Sequence, residues 1–310
     1  MISELFSVTV LIGILASGIR LATPYLYAAI GETFSQKSGV LNLGVEGQML
    51  LGCFAAFYVA FNTGNLWLGL LAAMIVGALM GLAMAFVTVN LHAQQGISGI
   101  GFYLFGLGMS DLLFKRLLGT VETVDGFPKI HINGLSDIPG IGDIFFSQNI
   151  LVYLAYLLVP LAWFVLNKTT LGLKIRAVGE NPDAADSLGV SVARVRYFTI
   201  ILGGTLSGIA GASLSIALLN VFQQNMTSGL GFIAVALVYF GAWTPVGVLG
   251  GALLFSMVNS LQLWIQVLGI PIPSDIAVMM PYVLTILVLV VSVSRVRAPS
   301  ALTRPFERED

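Results

Sequence analysis

Long apolar runs, cut by short polar stretches, fill most of the chain. They lie at about 5–30, 43–62, 66–90, 97–117, 150–167, 196–218, 229–243, 248–268 and 276–294. A helix crosses the hydrocarbon core of a bilayer with about 20 apolar residues. The runs therefore predict about nine transmembrane helices, with eight to ten allowed. The first run is long and holds Arg20 and Pro24, which predicts a kinked span or a span plus a short half-helix. The fold class is all-α: a polytopic helical membrane protein, with residues 1–310 forming a single transmembrane domain. The polar stretches are too short to bury cores of their own. The opening residues, MISELFSVTVLIG, lack a basic leader segment and read as part of the first span.

Composition sharpens the class. Only 9% of residues are charged and 57% are hydrophobic, whereas a soluble domain carries about 25% charged residues. Residues 47–110, 197–274 and 276–294 hold no Asp, Glu, Lys or Arg. The bases sit elsewhere: Lys168, Lys174, Arg176, Arg194 and Arg196 in one loop, and Arg295, Arg297, Arg304 and Arg308 in the last residues. Cytoplasmic loops of membrane proteins carry an excess of Lys and Arg. That rule predicts a cytoplasmic loop at 168–195 and a cytoplasmic tail at 295–310, the tail polar and mobile. Counting back puts Lys37 inside, the N-terminus outside and 118–149 in an external loop, where Glu122, Asp125, Asp137 and Asp143 outnumber Lys129. Lys115 and Arg116, at the outer end of a span, run against the rule. The net charge of −1 says nothing about nucleic acid, no basic run suggests such a partner, and lipid is the expected surrounding. The lone Cys53, in an apolar run, excludes a disulfide framework or a cysteine metal site.

Polar residues inside apolar runs are the candidates for chemistry. The stretch GETFSQKSGVLNLGVEGQMLLG (31–52) carries Glu32, Lys37, Asn42, Glu46 and Gln48. A carboxylate in a span is costly unless paired or hydrated. Glu46 therefore reads either as part of a broken helix lining a pathway, or as a structural carboxylate capping the N–H groups of a neighbouring helix. Further amides and hydroxyls gather at Asn90, His92, Gln94, Gln95 and Ser98, and again at Asn220, Gln223, Gln224 and Asn225. Such groups could pass a polar neutral solute without trapping it, or could be ordinary interfacial residues. The candidate translocation residues are Asn42, Glu46, Gln48, Asn90, Gln94, Gln95 and Ser98. Three Gly-x-x-x-Gly pairs, Gly77/Gly81, Gly204/Gly208 and Gly247/Gly251, predict close helix approach.

Enzymatic motifs fail on inspection. GETFSQKS (31–38) resembles a phosphate-binding loop, but Gln36 stands where a glycine must precede the lysine. GIGD (140–143) resembles an intramembrane protease motif, yet Asp143 falls in the outer loop. No Ser/His pair or His/Cys cluster has spacing for a nucleophile or a metal. No catalytic residue, metal or cofactor is expected.

One charged segment stands apart, KTTLGLKIRAVGENPDAADSLGVSVARVRY (168–197). Asn181 can cap a helix, Pro182 suits its first position and Asp183 suits its positive end. Ala184, Ala185 and Leu188 form a short apolar stripe, and Gly189 is a natural stop. Such a helix is either a plain connector or a part that another protein can grip.

SGVLNLGVEGQMLLG (38–52), AVGENPDAADSLGVSVARVRY (177–197) and GFIAVALVYFGAWTPVGVLGGALLF (231–255) together resemble the permease subunits of bacterial ABC importers for simple sugars, nucleosides and branched-chain amino acids. The likeness is greatest to the shorter of two paired permeases in nucleoside importers. HAQQGISGIG (92–101) departs from the Asn-Gln-Ile-type run more usual there. The resemblance implies an importer-permease fold in a bacterial inner membrane. It makes Glu180, Asn181, Pro182, Asp183, Ala184, Ala185, Asp186, Leu188 and Gly189 a coupling helix in the groove of a cytoplasmic ATPase, which binds the ATP. It also implies a second permease subunit and an extracytoplasmic solute-binding protein. The competing readings are a sugar or branched-chain amino acid permease, and an ion-coupled carrier. The carrier has only Arg20, Glu46 and Asp275 as intramembrane candidates for the driving ion.

Overall fold

In lipid, backbone N–H and C=O groups find partners only within helices or closed barrels, and these apolar runs form helices. The computed structural model describes residues 7–269, 273, 279–280, 283–284, 286–287, 290 and 297–307. Its helices are α1 (Val8–Lys37), α2 (Val45–Thr63), α3 (Leu66–Ala85), α4 (Gln95–Leu117), α5 (Ile150–Lys168), α6 (Thr170–Glu180), α7 (Pro182–Ser187), α8 (Val192–Ser213), α9 (Leu230–Phe240) and α10 (Pro245–Val267). Helices α3 and α8 run on through π-helical turns, Phe86–Asn90 and Leu214–Leu218. Polar residues set the starts: Asn65, Asn149 and Thr244 each accept from the first free N–H groups of α3, α5 and α10.

Among the described residues, seven helices are long and apolar enough to cross a membrane: α1, α2, α3, α4, α5, α8 and α10. The first run is one continuous helix of 30 residues with Pro24 inside it, not a span plus a half-helix. The expected crossing at 229–243 is corrected. Only α9 forms there, and its 11 residues reach about 16 Å. The expected span at 276–294 falls mainly outside the described residues.

The central helix is α8, which packs against α1, α2 and α3. Glycine makes this possible. Gly77 and Gly81 of α3 lie against Gly204 and Gly208 of α8, and Gly52 of α2 lies against Gly208. A Cβ on Gly81 would stand 2.8 Å from the Ile200 carbonyl oxygen. The third pair packs locally: Gly247 meets Gly241, and Gly251 meets Phe240. All three contacts lie within one subunit.

The helices define two faces. On one, the end of α6 sits on the end of α1, with Gly179 against Lys37. Lys37, the 168–196 segment and the tail share this basic face. On the opposite face the 118–149 segment pairs with the end of α8: Val124 N donates to Asn220 O (3.0 Å) and Phe127 N to Ile216 O (3.1 Å).

Composition predicts a free tail, yet its described residues lie against the bundle. Residues 297–307 strap the basic face. Ala301 N donates to Gly179 O (2.9 Å) and Thr303 N to Gly39 O (3.1 Å). Ser300 Oγ donates to Glu180 Oε2 (2.9 Å). Buried Arg196 reaches from α8 to Ser38 O (3.3 Å) and Arg304 O (3.1 Å). Carbonyls left free at helix ends recruit the passing chain. Arg196→Ala removes two charge-assisted bonds, at a cost of roughly 3 kcal/mol. The expected result is faster proteolysis within 297–307 in detergent, with the spans intact.

Candidate functional site

The chain leaves α8 on the opposite face and returns into the bundle as an irregular segment, 219–229, before α9 begins. Asn220, Asn225, Ser228 and Gly229 take left-handed conformations (φ 58°, 53°, 44° and 91°), so no helix propagates there. The depth of this segment is set by its neighbours. Phe222 packs on Phe54, Phe57 and Phe114. Thr227 and Gly229 reach Glu46, near the start of α2.

Glu46 is 1% exposed. Its Oε1 accepts from Thr227 Oγ1 (2.6 Å) and Gly229 N (2.7 Å), and its Oε2 from Gly231 N (2.5 Å). The N-cap of α9 is Gly229, which has no side chain to offer. Glu46 supplies the cap from another helix, where free N–H groups and the helix dipole favour an anion. These are the contacts of the capping alternative. Gly231 must be glycine here, since a Cβ would lie 2.6 Å from Glu46 Cα.

The other candidate translocation residues also serve the subunit itself. Asn42 N donates to Glu32 Oε1 (3.0 Å), its Nδ2 to Gln48 Oε1 (3.2 Å), and its Oδ1 accepts from Gly44 N (2.9 Å). Gln36 Nε2 donates to Glu32 Oε1 (2.9 Å), and Gln36 Oε1 accepts from Trp243 Nε1 (2.7 Å). This buried network joins the end of α1, the start of α2 and the turn after α9. Gln95, also buried, accepts from Leu41 N (2.8 Å). Gln94 caps its own helix at Ile97 N (2.5 Å), exposed Asn90 accepts from Tyr197 Oη (2.5 Å), and Ser98 is half-buried. The structure does not bring these seven residues to one open surface. Asn42, Glu46, Gln48 and Gln95 are enclosed, because buried polar groups must find partners.

The second amide cluster behaves differently. Gln223, Gln224, Asn225 and Ser228 are exposed, while Phe222, Met226 and Thr227 between them point inward. Gln224 Nε2 donates to Asp111 Oδ1 of α4. Asp111 Oδ2 in turn holds Lys115 Nζ at 2.7 Å, so the base that ran against the charge rule is paired. Tyr103 of α4 and Phe232 of α9 meet edge to face at 5.1 Å. Asp111 was missed as a candidate. Its signal was a lone acid four residues before a lysine within an apolar helix.

On the basic face, α7 forms with the expected cap: Asn181 Oδ1 accepts from Ala184 N (3.0 Å), and Pro182 opens the helix. Gly189 ends it at φ 81°. Asp183, Ala184 and Leu188 point outward, Leu188 at 85% exposure. Ala185 does not share that face. It is 3% exposed and packs in the core that holds Val178 and Val192. Glu180 is engaged by Ser300, and Asp186 is half-buried. A cleft of about 370 Å³ lies between Glu180–Asp183 and the tail, and one of about 470 Å³ lies beside Asp186 and Ser191. The stretch Gly31–Ser38, which resembled a phosphate loop, is buried at the end of α1 and offers no cradle.

The family of the branched-chain amino acid transport system / permease component matches residues 14–289. The chain belongs to this family. It is 38% identical to the guanosine ABC transporter permease protein NupQ of Bacillus subtilis, over 92% of this chain and 93% of that protein. It is 36% identical to the nucleoside ABC transporter permease protein NupC of Lactococcus lactis, over 93% and 94%. TsgC13 of Haloferax volcanii, provisionally named a glucose ABC transporter permease protein, is 38% identical over 96% and 98%. No solved structure matches the chain significantly. This permease is thus a multi-pass protein of the plasma membrane and a transport component rather than an enzyme. Its family implies partnership with ATPase and substrate-binding subunits.

Proposed function

We propose that this permease forms half of the membrane path of an ATP-driven importer for a nucleoside. A second permease completes the path, an external binding protein delivers the solute, and a cytoplasmic ATPase binds the ATP. The basic face is cytoplasmic and the 118–149 loop external, in keeping with the charge asymmetry. The nucleoside reading rests on the names of two relatives, and a sugar is the runner-up because a third is named for glucose.

The observation that carries the coupling role is α7: a capped helix on the basic face that lines one cleft with Asp183 and another with Asp186 and holds Leu188 out at 85% exposure. Ala184 and Leu188 meet the groove of the ATPase, and Asp183 meets its bases. Ala185 anchors α7 to the permease instead. A push on α7 passes into α8, one short turn away, and from α8 through its glycine contacts to α2 and α3.

Leu188→Asp tests this. In liposomes carrying the whole importer, uptake should fall at least about tenfold, as for loss of a buried interface anchor. The thermal midpoint of the permease alone should not move. Wild-type uptake by this variant would refute the coupling role. Uptake driven by an ion gradient without any ATPase would favour the carrier.

A further inference from the structure

The irregular segment exposes Gln223, Gln224, Asn225 and Ser228 on the outside of this subunit. Their depth follows from what flanks them. Phe222 lies against Phe54 and Phe57, in the middle of α2, and Thr227 and Gly229 lie against Glu46, near its start. Helix α2 has 19 residues, about 28 Å or one bilayer core. The four polar side chains are therefore held within the hydrocarbon layer. An amide there without a partner costs roughly 2–7 kcal/mol. Irregular backbone at this depth persists only inside protein or beside water.

We propose that this polar edge, with Asp111 and the Tyr103–Phe232 ring pair, is the wall of the translocation path that touches solute, and that it is built for an uncharged nucleoside. This rests on the permease reading above. The amides of Gln223 and Asn225 each offer donors and an acceptor, which suits both ribose hydroxyls and the edges of a base. Asp111 adds acceptors for hydroxyl or ring N–H groups, and Lys115 balances its charge. The paired rings at 5.1 Å present an apolar surface on which a flat base can rest. None of these contacts is strong alone, as release requires. Glu46, behind the wall, holds the segment in place and does not touch the solute.

Two measurements test the wall in the complete importer. First, Gln223→Ala and Phe232→Leu should each raise the half-saturating concentration for guanosine uptake by about tenfold, with the thermal midpoint unchanged. Second, Gln223→Cys in a Cys53→Ala background should react with a membrane-impermeant thiol reagent. Guanosine, adenosine or uridine delivered with the binding protein should slow that reaction, and glucose should not. Protection by glucose with none by nucleosides would overturn the nucleoside class yet keep the wall. A residue 223 thiol that reacts in the lone permease but is shielded in the importer whatever the solute would overturn the wall, placing this edge against the second subunit. Wild-type uptake in both substitutions would overturn it as well.

Discussion

Glu46→Ala is expected to abolish uptake and to lower the thermal midpoint more than any other single change at a polar residue here. The substitution leaves Thr227 Oγ1, Gly229 N and Gly231 N without their acceptor. Each buried donor left unpaired costs about 1–3 kcal/mol, so the three together cost roughly 3–9 kcal/mol. That is a large part of a typical folding margin of about 5–15 kcal/mol. The start of α9 and the 219–229 segment should loosen first, since both hang on this cap. Glu46→Gln keeps the size and one acceptor oxygen but turns an NH₂ group towards a donor, so about half of the loss should remain. Thermal unfolding in detergent and guanosine uptake in liposomes check both. A wild-type midpoint in Glu46→Ala would mean that α9 stands without its cap.

Gly204→Val should fail to accumulate in the membrane. A Cβ at this position would lie 2.9 Å from Gly81 Cα and would also press on the Gly77 carbonyl oxygen. These are backbone atoms, and no rotamer change relieves them. Helices α3 and α8 would have to separate along the seam that organises the bundle, a loss above about 4 kcal/mol. Gly204→Ala should be intermediate. Gly250→Ala is the control, because open space surrounds its added Cβ. It should be neutral or slightly stabilising, as expected for alanine in a helix. Membrane yield and thermal midpoint report both, and a stable Gly204→Val permease would show that the seam can widen freely.

Local signals in the chain suffice to place α7. Asn181, Pro182 and Gly189 act within a few residues, and α7 forms where they place it. Which side of α7 faces out was not local. Ala185 and Leu188 look alike in sequence, yet one is buried in the core that also holds Val178 and Val192 and the other is exposed. The two readings of Glu46 shared one cause, a carboxylate needing partners, and those partners lie about 180 positions further on. The tail looked free because its composition is polar. Its anchors are backbone carbonyls of Gly39 and Gly179, which carry no sequence signature.

The amino-acid order by itself determined the helical membrane class, the concentration of bases towards one face, the α7 cap and the family likeness. Each depends on hydropathy, charge count or neighbours within a turn. Tertiary structure decided that 229–243 holds a short helix behind an irregular segment, that Glu46 caps it, and that Gln223, Gln224, Asn225 and Ser228 of that segment lie exposed. An apolar run satisfies hydropathy equally well across lipid or against protein. Only the packing of α1, α2 and α10 around α9 selects between them.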